Sequence, residues 1–112
     1  MTAQDLARKT CVPCEGGVPP MALDKANALI TDLPGWQISA DGTTITRRFE
    51  FKGFAKSVEM ANLAAWLGNK QGHHPDIAFG WGYCQVAFTT HAVKGLTEND
   101  FICAARLNEL VS

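Results

Sequence analysis

No charge of one sign dominates this chain. Ten lysines and arginines stand against eleven aspartates and glutamates over 112 residues, for a net charge of −1. Because the charges are evenly scattered, there is no long cationic face for DNA or RNA and no polybasic anchor for a membrane surface. Long apolar runs are lacking as well: no stretch approaches the roughly 18 residues a spanning helix requires. The opening MTAQDLARKT has no signal-peptide core, so the expected location is the cytosol. Internal repeats, low-complexity tracts and linkers are missing too. Disulfides are not needed for stability, since a 46% hydrophobic composition builds a core unaided at this length. Cys84 and Cys103 lie in apolar segments and read as small core hydrophobes. Cys11-Val12-Pro13-Cys14 is a lone C-x-x-C beside Gly16-Gly17 and Pro19-Pro20, and a zinc ribbon requires a second pair or a nearby histidine. Residues 1–20 therefore read as an irregular arm with two free thiols; a local disulfide or a site shared between subunits are the alternatives.

Apolar spacing defines the elements. Residues 21–33 carry Leu23, Ala26, Leu29 and Ile30 at helical spacing and stop before Pro34-Gly35. β-type residues at 36–39 and 43–51 flank Asp41-Gly42, a strong hairpin dipeptide. Phe54, Val58, Ala61 and Ala65, with Met60, Leu63, Ala64 and Leu67 beside them, make the broad stripe of a second helix that Gly72 terminates. A second hairpin spans 77–81 and 83–90. A third helix over 98–111 has Phe101, Ile102, Ala105 and Leu110 on one side. The order α-β-β-α-β-β-α predicts an α+β two-layer sandwich, a four-stranded, largely antiparallel sheet with three helices on one face. One domain over 21–112 follows, with an edge strand or bare sheet face available for self-association.

Titratable chemistry concentrates in one place. All three histidines, His73, His74 and His91, fall between the end of the second helix and the end of the second hairpin. A turn centred on Gly82 or on Gly82-Tyr83 puts His91 across from His73 or His74. Pro75 holds His74 extended and stiffens the corner. Imidazoles titrating near 6.5 serve as acid and base at neutral pH, so proton transfer without a cofactor is the leading expectation. Zinc is the lesser one: no HExxH or carboxylate-ligand pattern accompanies the histidines, and neighbours on an extended chain point to opposite sides. Exposed turn histidines without chemistry are the plain alternative.

Five fragments narrow the choice: His73-His74-Pro75-Asp76, Trp81-Gly82-Tyr83, Thr89-Thr90-His91, Gly95-Leu96-Thr97 and Asp100-Phe101. Together they resemble the pterin-4a-carbinolamine dehydratases, and Cys11 to Gly17 and Pro34-Gly35-Trp36 are similar to bacterial members of that family. The likeness covers nearly the whole chain. It implies the α+β sheet architecture, a homodimer or homotetramer, and no metal or other cofactor. It also implies a pterin pocket from His73, His74, Pro75 and His91, completed by the backbone at Thr90, Ala92 and Val93. The implied reaction is loss of water from a 4a-hydroxytetrahydropterin to give the quinonoid dihydropterin, recycling the cofactor spent by aromatic amino acid hydroxylases. His73 and His91 are the implied acid-base pair, with His74 positioning the substrate or substituting for one of them. Relatives that act as transcriptional coactivators or assembly factors make protein binding the second expectation.

Two residues have two readings each, and a third departs from the family pattern. Thr97-Glu98-Asn99-Asp100 has the form of a capping box, with Leu96 and Phe101 as its staple, while the resemblance sets Asp100 near His91 as an orienting carboxylate. Trp36 is a core tryptophan or an aromatic wall of the pocket. Many family members carry an acidic residue where this chain has Asn69; Lys70 and Gln71 do not replace it, which removes a charge that would raise a histidine pKa.

Overall fold

Two tight turns and two helix ends fix the architecture. The computed structural model describes residues 2–13, 16 and 18–112, so Cys14 and any pairing with it lie outside the described residues. The elements are α1 (Ala3–Ala7), α2 (Leu23–Ile30), β1 (Trp36–Ile38), β2 (Ile45–Glu50), α3 (Ala55–Gln71), β3 (Asp76–Gly80), β4 (Tyr83–Phe88), a 3₁₀ turn (His91–Val93) and α4 (Glu98–Val111). The strands form one four-stranded antiparallel sheet in the order β1-β2-β4-β3. The fold is the α+β sandwich that the spacing of apolar residues predicts.

Alternation along the central strands decides which face is covered. Ile45 and Phe49 on β2 and Cys84, Val86 and Phe88 on β4 are buried, and register pairs Ile45 with Phe88 and Phe49 with Cys84. Their neighbours Thr46, Arg48, Gln85 and Ala87 face the other way and stay partly or fully exposed. Against the buried face, α3 packs on β3 and β4, α4 packs on β4 and α3, and α2 packs on β1. Phe88 and Phe101 lose all exposure, each contributing about 1.5–3 kcal/mol of burial. No helix among the described residues is long and apolar enough to cross a membrane.

Three departures from the sequence reading concern the fold itself. The arm is not wholly irregular: Thr2 and Asp5 cap α1 reciprocally, and Leu6 is fully buried where α1 packs on α4. Leu110 is 47% exposed and lines a surface groove with Trp66 rather than joining the core. The third is the register of the second hairpin. Gly80 pairs with Tyr83, so the loop is Trp81-Gly82, which shifts the register by one residue from a turn centred on Gly82 and by two from one centred on Gly82-Tyr83. Its place is set from outside the hairpin, because Gly82 donates to the Gly53 carbonyl and accepts from the Phe51 amide, 2.9 Å each. Carried past its last pair, Asp76 with Ala87, this register faces Thr90 toward His73 and leaves His91 beyond the ladder.

Candidate active site at the end of the third helix

The site begins with a helix that stops sharply. Gly72 adopts the left-handed conformation at φ 66°, and the His73 amide returns to the Gly68 carbonyl at 3.1 Å, closing α3. Pro75 then folds back on the helix so closely that a Cβ at Gly68 would lie 2.4 Å from its Cδ. Only glycine permits that approach. The corner is therefore rigid, and His73, at its apex, turns inward to 7% exposure over the ring of Phe88, 6.1 Å away and inclined by 13°.

The buried imidazole meets a buried carboxylate. His73 Nε2 lies 2.5 Å from Asp100 Oδ1, and Asp100 has no exposed surface. Asp100 sits at the third position of α4, and its Oδ2 accepts from the Thr97 amide at 3.0 Å and from the Thr90 hydroxyl at 2.8 Å. Thr90 Oγ1 in turn touches Thr97 Oγ1 at 2.8 Å. Burial alone would pull the His73 pKa down. The hydrogen bond and negative charge of Asp100, helped by the nearby Cys11, outweigh it and hold the ring above its ordinary value of 6.5. Both carboxylate oxygens are thus engaged, which makes Asp100 both a helix cap and the partner of a histidine.

Asp100 accordingly faces His73 and not His91, because Thr90 rather than His91 is brought across from the helix corner. The negative charge beside His73 comes from Asp100 on α4. Asn69 itself is exposed and accepts the Gly72 amide through its backbone carbonyl.

Above this pair lies an open depression of about 190 Å³ lined by Gly72, His73, His74, Thr89, Thr90, His91 and Ala92. All three histidines therefore border one cavity. His74 and His91 are exposed there, whereas His73 forms part of the floor. His91 reaches it from the 3₁₀ turn after β4, held by the bridge between Thr90 and Gly95. Pro75 braces the corner from behind, and Val93 is buried beneath the turn; neither lines the depression. Trp36 lies elsewhere. It is 5% exposed, packs on Phe88 at 5.8 Å and donates through Nε1 to Asn108 at 2.8 Å, so it belongs to the core and does not line the depression. Sequence reasoning missed the Thr90 hydroxyl, Thr89 and Gly68. A glycine at 68 among apolar helix positions was the one available signal, since such a residue marks close packing. Among the described residues no three histidine, cysteine, aspartate or glutamate side chains gather to hold a metal ion.

The arrangement offers one buried, charge-favoured imidazole and two accessible ones around a shallow cavity. Comparison with known proteins gives it a context. The profile of the pterin 4 alpha carbinolamine dehydratase family matches residues 19–110. A Methylococcus capsulatus protein, named provisionally as a pterin-4-alpha-carbinolamine dehydratase, is 43% identical over 112 residues, covering 100% of this chain and 98% of its own. Among solved structures, a Brucella melitensis protein described as a transcriptional coactivator/pterin dehydratase superposes with a TM-score of 0.76 at 29% identity, covering 83% of this chain and 99% of that one. A pterin dehydratase-like RuBisCO assembly factor of the alpha-carboxysome shares the fold alone, with a TM-score of 0.57 at 24% identity over 70% of this chain and 90% of that one.

Proposed function

The chain belongs to the pterin-4a-carbinolamine dehydratase family, and from that premise we propose that it dehydrates a 4a-hydroxytetrahydropterin to the quinonoid dihydropterin by histidine acid-base catalysis. The observation that carries the reading is the bonded chain Thr90–Asp100–His73 beneath a cavity that His74 and His91 also border. With Nε2 engaged by Asp100, Nδ1 is the ring nitrogen left for substrate. Because its pKa is raised, His73 is the proton donor. It protonates the C4a hydroxyl as the carbon–oxygen bond breaks and water departs. The N5 electron pair closes the C4a=N5 bond, and His91 takes the N5 proton, with His74 orienting the ring. One proton is given and one taken, so the pair returns to its starting state through solvent at the exposed His91.

A depression of about 190 Å³ is smaller than the roughly 300–1,000 Å³ of pockets that enclose drug-sized ligands. It suits a flat bicyclic head with its substituents lying outside. No cofactor enters the proposed chemistry. Its setting is tetrahydropterin recycling beside an aromatic amino acid hydroxylase, by a cytoplasmic homodimer or homotetramer associating through the β3 edge or the bare sheet face. The deciding assay follows dehydration of a 4a-carbinolamine by wild type, His73→Ala and His91→Ala. Wild-type turnover well above the buffer reaction, reduced about 10²–10⁴-fold in each variant, is expected; wild type no faster than buffer would refute the reading. A second reading, protein binding as a coactivator or assembly factor, draws on the exposed aromatics Phe54, Phe79 and Trp81 beside the β3 edge. Retained partner binding by a chain that is inactive toward the carbinolamine is its signature.

A further inference from the structure

The N-terminal arm delivers one thiol onto another. Cys11 Sγ lies 3.5 Å from Cys103 Sγ, across 92 residues of sequence. The contact is held on both sides. The Cys11 amide donates to Gln71 Oε1 at 3.0 Å, and Asn99 exchanges two bonds with Val12, its Oδ1 accepting at 3.1 Å and its Nδ2 donating at 2.7 Å. Arg106 Nε donates to the Lys9 carbonyl at 2.7 Å, and Lys9 pairs with Glu98. Four side chains of α3 and α4 thus fasten residues 9–12 so that Cys11 sits over Cys103, a turn of α4 beyond Asn99. Farther on, Gly16 lies against the Ala92 carbonyl, Pro20 packs on Gly95, and the Met21 amide donates to the Leu96 carbonyl at 2.7 Å. Described residues of the arm thus touch both Cys103 and Ala92, and Ala92 lines the depression of the candidate active site.

The two sulfurs are unequal. Cys103 is fully buried and Cys11 partly exposed. The Cys103 hydrogen bond holds the Cys11 thiol below its ordinary range, against the pull of burial and with help from His73, while the same bond and burial push Cys103 up. An accessible, more acidic thiol in contact with a buried resolving one is the arrangement of a redox-sensitive pair.

We propose that Cys11 and Cys103 form a reversible dithiol that a peroxide oxidises to a disulfide, clamping the arm to α4. The Cys11 thiolate attacks one peroxide oxygen and the O–O bond breaks. This gives the Cys11 sulfenic acid and, with a proton from solvent, one water. The Cys103 sulfur then attacks the sulfenic sulfur, expelling the second oxygen as water with the Cys103 proton. Two thiols are oxidised by two electrons and one hydrogen peroxide is reduced to two waters; a dithiol reductant reverses the exchange. The sulfurs need close only from 3.5 Å to about 2.05 Å, a shift that side-chain rotation and a small movement of the arm supply.

The test uses the full chain and does not depend on any reaction with pterins. Reduced protein is treated with stoichiometric hydrogen peroxide, free thiols are blocked with N-ethylmaleimide, and the unreduced digest is mapped by mass spectrometry. The expected product is a Cys11–Cys103 linked peptide, two hydrogens lighter than its parts. Its formation raises Tm by about 10 °C through closure of the long loop, and dithiothreitol reverses the rise. C14S keeps both effects and C11S loses both. A Cys11–Cys14 link, an intermolecular link, Cys103 recovered alkylated after oxidation, or an unchanged rise in C11S would overturn the proposal.

Discussion

Replacing Asp100 by asparagine keeps the shape of the side chain and removes its charge, which isolates what the carboxylate does for His73. In the wild type Oδ1 faces the imidazole, and Oδ2 accepts from the Thr97 amide and the Thr90 hydroxyl. An asparagine has only one acceptor oxygen. If that oxygen keeps Thr97 and Thr90, the amide nitrogen confronts Nε2, which must then accept, and a charged ring is excluded. If the oxygen turns to His73, the Thr97 amide loses its partner at the start of α4. The first arrangement forfeits the charge assistance of the buried bond and the second forfeits a buried bond outright, either costing about 2 kcal/mol and lowering Tm by about 8 °C for a chain of this size. The pKa argument is sharper. In the wild type the raised value means that His73 contributes stability in full below the unfolded pKa of about 6.5, and that this contribution is lost as pH rises through the folded value. In Asp100→Asn burial is opposed only by the weaker pull of Cys11, so the folded pKa falls below 6.5 and the sign reverses: stability rises with pH from the depressed value up to about 6.5. Histidine Cε1 proton shifts followed by NMR titration, together with melts at pH 5.5 and 8, measure both effects. If His73 titrates in Asp100→Asn at or above its wild-type value, the electrostatic account of the pair is wrong.

Three further substitutions probe the surroundings. Gly68→Ala drives a methyl into the Pro75 ring, where a Cβ would lie 2.4 Å from Cδ, and is expected to cost about 1–3 kcal/mol in urea unfolding; an unchanged midpoint would mean that the corner is loose. Phe88→Leu removes a fully buried ring that packs on both His73 and Trp36. It should lower stability by about 1.5 kcal/mol and broaden the His73 resonance. Trp36→Phe loses the bond to Asn108 at 2.8 Å, at about 1 kcal/mol, yet is expected to leave carbinolamine dehydration within twofold of wild type, and a larger kcat loss would restore Trp36 as a pocket wall.

How far the sequence could be read depended on whether the cause was local. α4 was legible to the residue at its start because Thr97 and Asp100 announce a cap within four positions, and α3 ended where Gly72 allowed a left-handed turn. The sheet was legible from β-type residues flanking local turn signals such as Asp41-Gly42. The register of the second hairpin was not, since the Gly82 hydrogen bonds that fix its loop come from Gly53 and Phe51, far outside the hairpin. Nor was α1: five residues are too few to show a period, and Leu6 gains its burial from α4, at the other end of the chain. The histidine cluster could be seen as a cluster. That the inward member is His73, and that a carboxylate 27 positions away selects it, depends on how α3 and α4 lie against each other.

One carboxylate starts the last helix and also secures an imidazole. A descendant of this scaffold that abandoned turnover would still need the aspartate to keep that helix from fraying, so its retention there would be no badge of chemistry. The exposed His91 carries no such double duty, and selection is free to discard it first.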